Sequence, residues 1–117
     1  MGFVLDAILK KIIDSDITVN TNYTSDSIDI DNREDEFAIQ IVYKEGSNVQ
    51  MTFKLEVSLD GINFAPILEA DQEIIDNEGV HIWDVSGSGV SFIRVRVEVV
   101  SGSIQIEKIT YSSKRRH

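Results

Sequence analysis

Residues 54–67 read KLEVSLDGINFAPI, and this stretch decides how the chain is expected to fold. Apolar and polar residues alternate up to Asp60-Gly61, where the alternation stops, and it resumes around Phe64. Alternation at period two is typical of a strand with one buried face. Gly61 supplies the positive φ that a tight turn needs, and Asp60 can bond the local backbone. The stretch predicts a strand, a turn and a short second strand, with Phe64 in the core and Pro66 at a sheet edge.

Similar alternation marks most of the remaining chain, in EFAIQIVYK (36–44), VQMTFKLEVS (49–58), VHIWDV (80–85), VSFIRVRVEVV (90–100) and IQIEKITY (104–111). The intervening segments EGSN (45–48), SGSG (86–89) and SGS (101–103) are typical of turns. The alternation slips after Ile106, which predicts a β-bulge near Glu107-Lys108. The pattern as a whole predicts an all-β protein, an antiparallel, jelly-roll-like β-sandwich of seven or eight strands.

The two ends differ from this pattern. In FVLDAILKKII (3–13) four apolar residues recur at helical spacing, which predicts a short N-terminal helix or arm. They are Leu5, Ile8, Leu9 and Ile12. So short a helix needs a surface to pack on, and we favour its own sandwich over a neighbouring subunit. The expected organisation is an arm (1–14), a β-sandwich domain (15–112) and a basic tail (113–117).

Composition limits the function classes. The chain has 117 residues, a formal net charge of -9 and no cysteine. That length suits one domain, and the missing cysteines exclude disulfides and thiol catalysis. Such a negative surface disfavours nucleic acids and anionic membranes as partners. The basic residues of the N-terminal segment follow its apolar stretch, unlike those of a signal peptide, so synthesis in the cytoplasm is expected.

Catalytic and metal-binding patterns are weak. The two histidines, His81 and His117, have no partners in a recognisable triad, so we expect no enzyme. In the acidic segment 29–36, Arg33 and Glu34 occupy positions where a calcium loop needs an oxygen ligand and a glycine. An irregular calcium site there remains an alternative, but no metal or cofactor is predicted.

Three stretches also resemble a group of small virion proteins of tailed phages. They are TSDSIDIDNREDEFAIQIVYK, FKLEVSLDGINFAPI and GVHIWDVSGSGVSFIRVRVEVVSGSIQIEKI, which together span residues 24–109. The positions that match the group's pattern are Ile28, Ile30, Ile39, Leu55, Phe64, Trp83, Arg94 and Val95. The group usually has tryptophan where this chain has Phe64.

The resemblance implies a β-sandwich that decorates the capsid or serves as a head-fibre or tail-accessory protein. The implied function is non-enzymatic: the chain joins or decorates the virion through protein–protein contacts, with capsid, portal or tail proteins as partners. A homo-oligomer is expected, because positions on a shell are symmetric. The resemblance supplies no site residues.

The ends are therefore our candidates for partner binding, namely Leu5, Ile8, Leu9, Ile12, Lys114, Arg115 and Arg116. The alternative function is a carbohydrate-binding module for adsorption to the host surface. It requires exposed rings, and the available ones are Tyr23, Tyr43, Trp83 and Tyr111.

Overall fold

The computed structural model describes the backbone of residues 5–13, 16–30, 36–86 and 90–116, and the side chains of 16–30, 37–85 and 90–112. Nine strands are found in these residues: β1 (Leu5–Ile13), β2 (Ile17–Val19), β3 (Tyr23–Thr24), β4 (Ile28–Asp29), β5 (Glu36–Ser58), β6 (Ala65–Pro66), β7 (Gln72–Ile74), β8 (Gly79–Ser86) and β9 (Phe92–Arg116). A 3-10 turn spans Leu68–Ala70. No helix in the described part is long and apolar enough to cross a membrane. The predicted all-β class is confirmed.

Two long strands, β5 and β9, form the centre of the sheet. They pair antiparallel from Glu36↔Lys114 at one end to Ser58↔Phe92 at the other. The turns predicted at 45–48 and 101–103 are therefore wrong, because both segments lie inside paired strands. Glu45 and Asn48 have φ of 53° and 52°, and Gly102 has φ of 83°. The register shifts between Lys44 and Met51, so these residues bend the two-stranded ribbon formed by β5 and β9 without ending it.

The bend folds the ribbon into two layers. The rings of Tyr43 and Phe53 lie 5.4 Å apart, edge to face. Ten residues of straight strand would separate their Cα atoms by about 33 Å, more than two side chains can bridge. The halves of β5 on either side of residues 44–50 must therefore turn toward each other. The result is an open, continuous sheet that is compatible with the predicted β-sandwich.

Each layer is completed by shorter strands. In the first layer, the beginning of β5 pairs with β8, and the end of β9 pairs with β1 and β2. In the second layer, the end of β5 pairs with β6 and β7, and the beginning of β9 pairs with β3 and β4. Pro66 lies on β6, a short edge strand, as predicted.

The inner faces of both layers share one hydrophobic core. The core residues are Val19, Ile28, Ile30, Phe37, Ile39, Ile41, Tyr43, Val49, Met51, Phe53, Leu55, Ile74, Trp83, Ile93, Val95, Val97, Ile104, Ile106, Ile109 and Tyr111. The predicted bulge is confirmed, because Val42 pairs with Lys108 while Tyr43 pairs with Ile106. Glu107 is the additional residue, and it keeps Ile106 and Ile109 on the buried face.

The predicted N-terminal helix is wrong. Residues Leu5–Ile13 form β1, which runs antiparallel to β9 from Leu5↔Arg116 to Ile13↔Ile109. Because strand positions alternate at period two, the helical spacing of Leu5, Ile8, Leu9 and Ile12 does not define a single face. An isolated helix of this length is only marginally stable. The end of β9 instead provides hydrogen-bond partners for the backbone of this segment.

Candidate functional site: the exposed surfaces

The turn at Asp60-Gly61 is a closed hydrogen-bonded unit. The Ser58 hydroxyl accepts the N–H groups of Asp60 and Gly61 at 3.2 and 2.9 Å and donates to Asp60 Oδ1 at 2.9 Å. The same Oδ1 accepts the N–H groups of Ile62 and Asn63, each at 2.8 Å, and Oδ2 accepts the Asn63 amide. These bonds hold the pKa of Asp60 well below its usual range. The carboxylate is used to form the corner.

Phe64 does not enter the core, contrary to the prediction. Its ring is partly exposed and lies beneath Arg94, whose guanidinium carbon is 3.9 Å from the ring centre. Arg94 Nε also donates to Glu56 Oε1 at 2.7 Å. Phe64 therefore packs against the guanidinium of an ion-paired arginine on the outer face of the second layer, where a cation–π contact is favourable.

The rest of that outer face is ion-paired. Lys54 Nζ lies 3.2 Å from Asp71 and 3.7 Å from Glu98, and Arg96 Nε lies 3.5 Å from Glu98. Arg96 also donates to the Thr24 hydroxyl at 3.1 Å. Partly exposed pairs of this kind stabilise a fold by about 0–1 kcal/mol each. The basic side chains here are engaged within the molecule, which leaves this face with little unpaired positive charge.

The rings considered for sugar binding are largely buried. Trp83 is 6% exposed, Tyr43 5% and Tyr111 1%. Trp83 Nε1 donates to the Ala70 carbonyl at 2.6 Å, which ties β8 to the 3-10 turn. Tyr23 is half-buried. Three of the four rings are therefore part of the hydrophobic core, and these three offer no exposed face on which a sugar could stack.

His81 is half-buried against Trp83, with ring centres 4.7 Å apart. Its Nε2 is buried without a hydrogen-bond partner among the described atoms. Burial lowers the pKa of His81 below its usual 6.5. No group of three or more metal-ligating side chains is found among the described residues. Most of the acidic segment proposed as an irregular calcium site, residues 31–35, lies outside them.

Exposed apolar side chains mark other surfaces. The large ones are Leu59, Ile62, Leu68, Ile75, Val80, Ile82 and Val100. Val80 and Ile82, each 57% exposed, lie side by side on the outer face of β8, next to the exposed carboxylate of Asp84. The sequence analysis did not identify this exposed pair. The sequence VHIWDV nevertheless indicates it, because it places apolar residues on both faces of the strand, whereas a strand with one solvent-facing side has apolar residues on one face only.

Two shallow grooves lie on the described surface. One, of about 350 Å³, is lined by residues next to the Asp60-Gly61 turn, including Val57, Leu59 and Val90. The other, of about 160 Å³, lies between Ile75 and Val100. Both are lined mainly by apolar atoms and have no cluster of titratable groups suited to acid–base chemistry.

The end segments proposed for partner binding come together. Leu5 pairs with Arg116 and Ile8 with Ser113, and Lys114 of β9 pairs with both Ala7 and Glu36. The two ends therefore form neighbouring strands of the first layer. Their side chains lie outside the described set, so the assignment of these residues to partner binding remains a prediction.

Solved structures of other proteins share this fold. Neither the protein-family models nor the curated proteins include a match to this sequence. Among solved structures, the SPBc2 prophage-derived protein YomS superposes with a TM-score of 0.60 at 11% identity, covering 97% of each chain. A chain of the infectious bursal disease virus Gx strain gives 0.59 at 6% identity, over 95% of this chain and 32% of that one.

A xylanase of Clostridium thermocellum, in its CBM22-1–GH10 modules, gives a TM-score of 0.54 at 14% identity, covering 96% of this chain and 26% of that one. At such identities the likeness establishes a shared fold. The chain thus has a β-architecture found in phage and viral proteins and also in a carbohydrate-active enzyme. Fold alone does not choose between their functions.

Proposed function

We propose that this chain is a structural component of a phage particle, which joins or decorates the capsid or tail through protein–protein contacts and catalyses no reaction. The observation that carries the proposal is the end-to-end similarity to the prophage-derived protein YomS, with 97% of each chain covered. The unit that is shared is the whole chain, rather than a module within a larger enzyme.

The surfaces described above support contact with other proteins. Seven large apolar side chains are exposed among the residues whose side chains are described, and the four most exposed, Ile62, Ile75, Leu59 and Val100, are each at least 72% accessible. Exposed apolar patches bordered by polar residues are typical of protein interfaces. We propose that the protein is made in the host bacterium, occupies the virion and is present in several symmetric copies, where weak contacts add up.

Cosedimentation with phage particles tests this proposal. Particles are prepared from a phage deleted for this chain, mixed with the purified protein and separated by ultracentrifugation. We expect saturable binding in a fixed number of copies per particle. If deleted particles do not bind the protein, and native particles carried through the same procedure do not contain it, the proposal is wrong.

A carbohydrate-binding module remains the second candidate, because the xylanase structure shares the fold. The burial of Trp83, Tyr43 and Tyr111 argues against it, since sugar sites depend on exposed rings. A glycan array separates the two functions. Specific binding to a glycan, reduced by substitution of the half-buried Tyr23, would favour the module.

A further inference from the structure

The short edge strands of the sheet leave little backbone to pair. A free edge is a ready template for another strand, and proteins block it with short strands, proline or lysine. In the second layer β3, β4 and β6 have two residues each and β7 has three, and β6 contains Pro66. The long edge strand β1 carries Lys10 and Lys11.

The edge of β8 lacks these protections. It has eight residues, contains no lysine, arginine or proline, and pairs only with β5 among the described residues. An antiparallel strand of this length directs about four N–H and four C=O groups away from its one partner. β8 therefore presents a long backbone edge together with the exposed side chains of Val80 and Ile82.

The acidic residues beside this edge indicate the kind of strand that can bind it. Glu78, Val80, Ile82 and Asp84 are exposed and alternate along the chain, in the order acidic, apolar, apolar, acidic. Asp76, just before them, is also exposed and acidic. The basic side chain on the neighbouring strand, Lys44 of β5, is ion-paired with Asp16 at 3.0 Å, and Lys108, opposite Val42, lies two strands from the edge. A partner strand must therefore bring positive charge.

A second copy of β8 does not satisfy this requirement. In antiparallel self-pairing, the register that places Val80 opposite Ile82 also brings Glu78, one residue before β8, opposite Asp84, twice about the two-fold axis. The neighbouring registers avoid this pair but set Val80 against Asp84 or Ile82 against Glu78, an apolar residue against an acidic one. Like charges directly opposite each other destabilise a strand pair. The net charge of -9 adds long-range repulsion between two copies.

We propose that the β8 edge binds an extended segment of another protein by adding it as a strand, and that this segment has the pattern basic-x-apolar-x-apolar-x-basic. Its apolar residues would contact Ile82 and Val80, and its basic residues would lie opposite Asp84 and Glu78. Main-chain hydrogen bonds would supply affinity and the alternate side chains specificity, as in other strand-addition complexes. The inference rests on the proposed function, because the segment would belong to another virion protein.

A peptide titration followed by NMR tests the inference. The probe is a heptapeptide with lysine at both ends, valine at the third and fifth positions and threonine elsewhere. The matched control peptide replaces both lysines with glutamate. We expect amide shifts centred on residues 79–85 with the lysine peptide, weaker binding at high salt, and at least about tenfold weaker binding of the glutamate peptide.

Variants locate the contact. Ile82→Lys should weaken binding of the lysine peptide at least about tenfold, because it removes an apolar contact and adds a like charge. Val100→Lys, at a comparably exposed position on the central strand β9, should change it less than about twofold. Glu78→Lys combined with Asp84→Lys should reverse the preference toward the glutamate peptide. Unchanged Trp83 fluorescence would show that each variant is folded.

Several results would overturn the inference: equal binding of both peptides, shifts centred away from β8, no reversal when Glu78→Lys and Asp84→Lys are combined, or self-association of the protein that Ile82→Lys abolishes. Particle binding keeps the two proposals apart. If Ile82→Lys binds particles as well as the unchanged protein does, the β8 inference is wrong and the proposed function stands. If the unchanged protein binds no particles, the proposed function is wrong whatever the peptides do.

Discussion

At the scale of single residues, the predicted turn at Asp60-Gly61 forms a closed corner. Ser58, Asp60 and Asn63 satisfy one another and the backbone of the turn, and Gly61 adopts φ of 75° there. Ser25, in the first of the three stretches that resemble the virion proteins, is buried, and its hydroxyl accepts the Val95 N–H at 2.9 Å. The residues that carry the family resemblance are thus largely structural, which explains why they point to a scaffold and not to a reaction.

Two glycines should differ in their tolerance of alanine. At Gly61 a Cβ would lie 3.1 Å from the Phe92 ring, and we expect Gly61→Ala to cost about 1–2 kcal/mol. At Gly102 it would lie 2.3 Å from the carbonyl oxygens of Ser47 and Asn48, so the backbone must move, and we expect about 3 kcal/mol or more. Urea unfolding of both variants measures this. An equal loss at the two positions would contradict the bent ribbon.

His81 should make stability depend on pH. Its pKa is lower in the folded protein than in the unfolded chain because of burial, so protonation favours unfolding. Above the unfolded value of 6.5 the ring is neutral in both states, and stability should fall as pH decreases from there toward the folded pKa. His81→Gln should remove this component and His117→Gln should not. Urea unfolding at a series of pH values checks it, and identical profiles for both variants would refute it.

At the scale of elements, the long strands that form the core were predictable, but the strand at 5–13 and the ends of the strands were not. Alternation identified β8 and both halves of β5 and β9, because burial of one face imposes period two on the sequence. It did not show that 45–48 and 101–103 remain paired, since glycine and asparagine are equally typical of a turn and of a bend inside a strand. The strand at 5–13 was missed because its apolar spacing is helical, and tertiary pairing overrides local preference.

The bulge in β9 gives a prediction at this scale. Deleting Glu107 would leave Ile106 and Ile109 on the buried face in regular alternation with Lys108, so we expect a loss of about 1 kcal/mol or less. Deleting Gln105 would turn the fully buried Ile104 outward, with an expected loss of about 2–4 kcal/mol. Thermal and urea unfolding compare the two deletions. Greater damage from the Glu107 deletion would show that the bulge is misplaced.

At the scale of the whole molecule, the part of the chain that the structure describes combines a protected scaffold with an unprotected edge at β8. The all-β class and the core follow from composition and period, but the neighbours of each strand do not, because antiparallel alternation is the same whichever strand lies beside it. The β8 edge could not be foreseen for that reason. Val80 and Ile82 became informative only when β5 was found on one side of them and nothing described on the other.

The paired ends give a further prediction. If the basic end of β9 contributes to attachment, Arg115→Gln combined with Arg116→Gln should lower occupancy on particles several-fold without unfolding the protein, because charge is lost while backbone pairing with β1 is kept. Removal of residues 3–13 should also lower occupancy. Quantitative cosedimentation measures both, and full occupancy for both variants would exclude the ends as attachment sites.

A cryo-EM reconstruction of the particle made by the phage that encodes this chain tests the central claim most directly. The account predicts density that fits the folded two-layer sheet at symmetry-related positions on the capsid or tail, in contact with other virion proteins. A complete reconstruction of the particle in which no density accommodates this fold would contradict it.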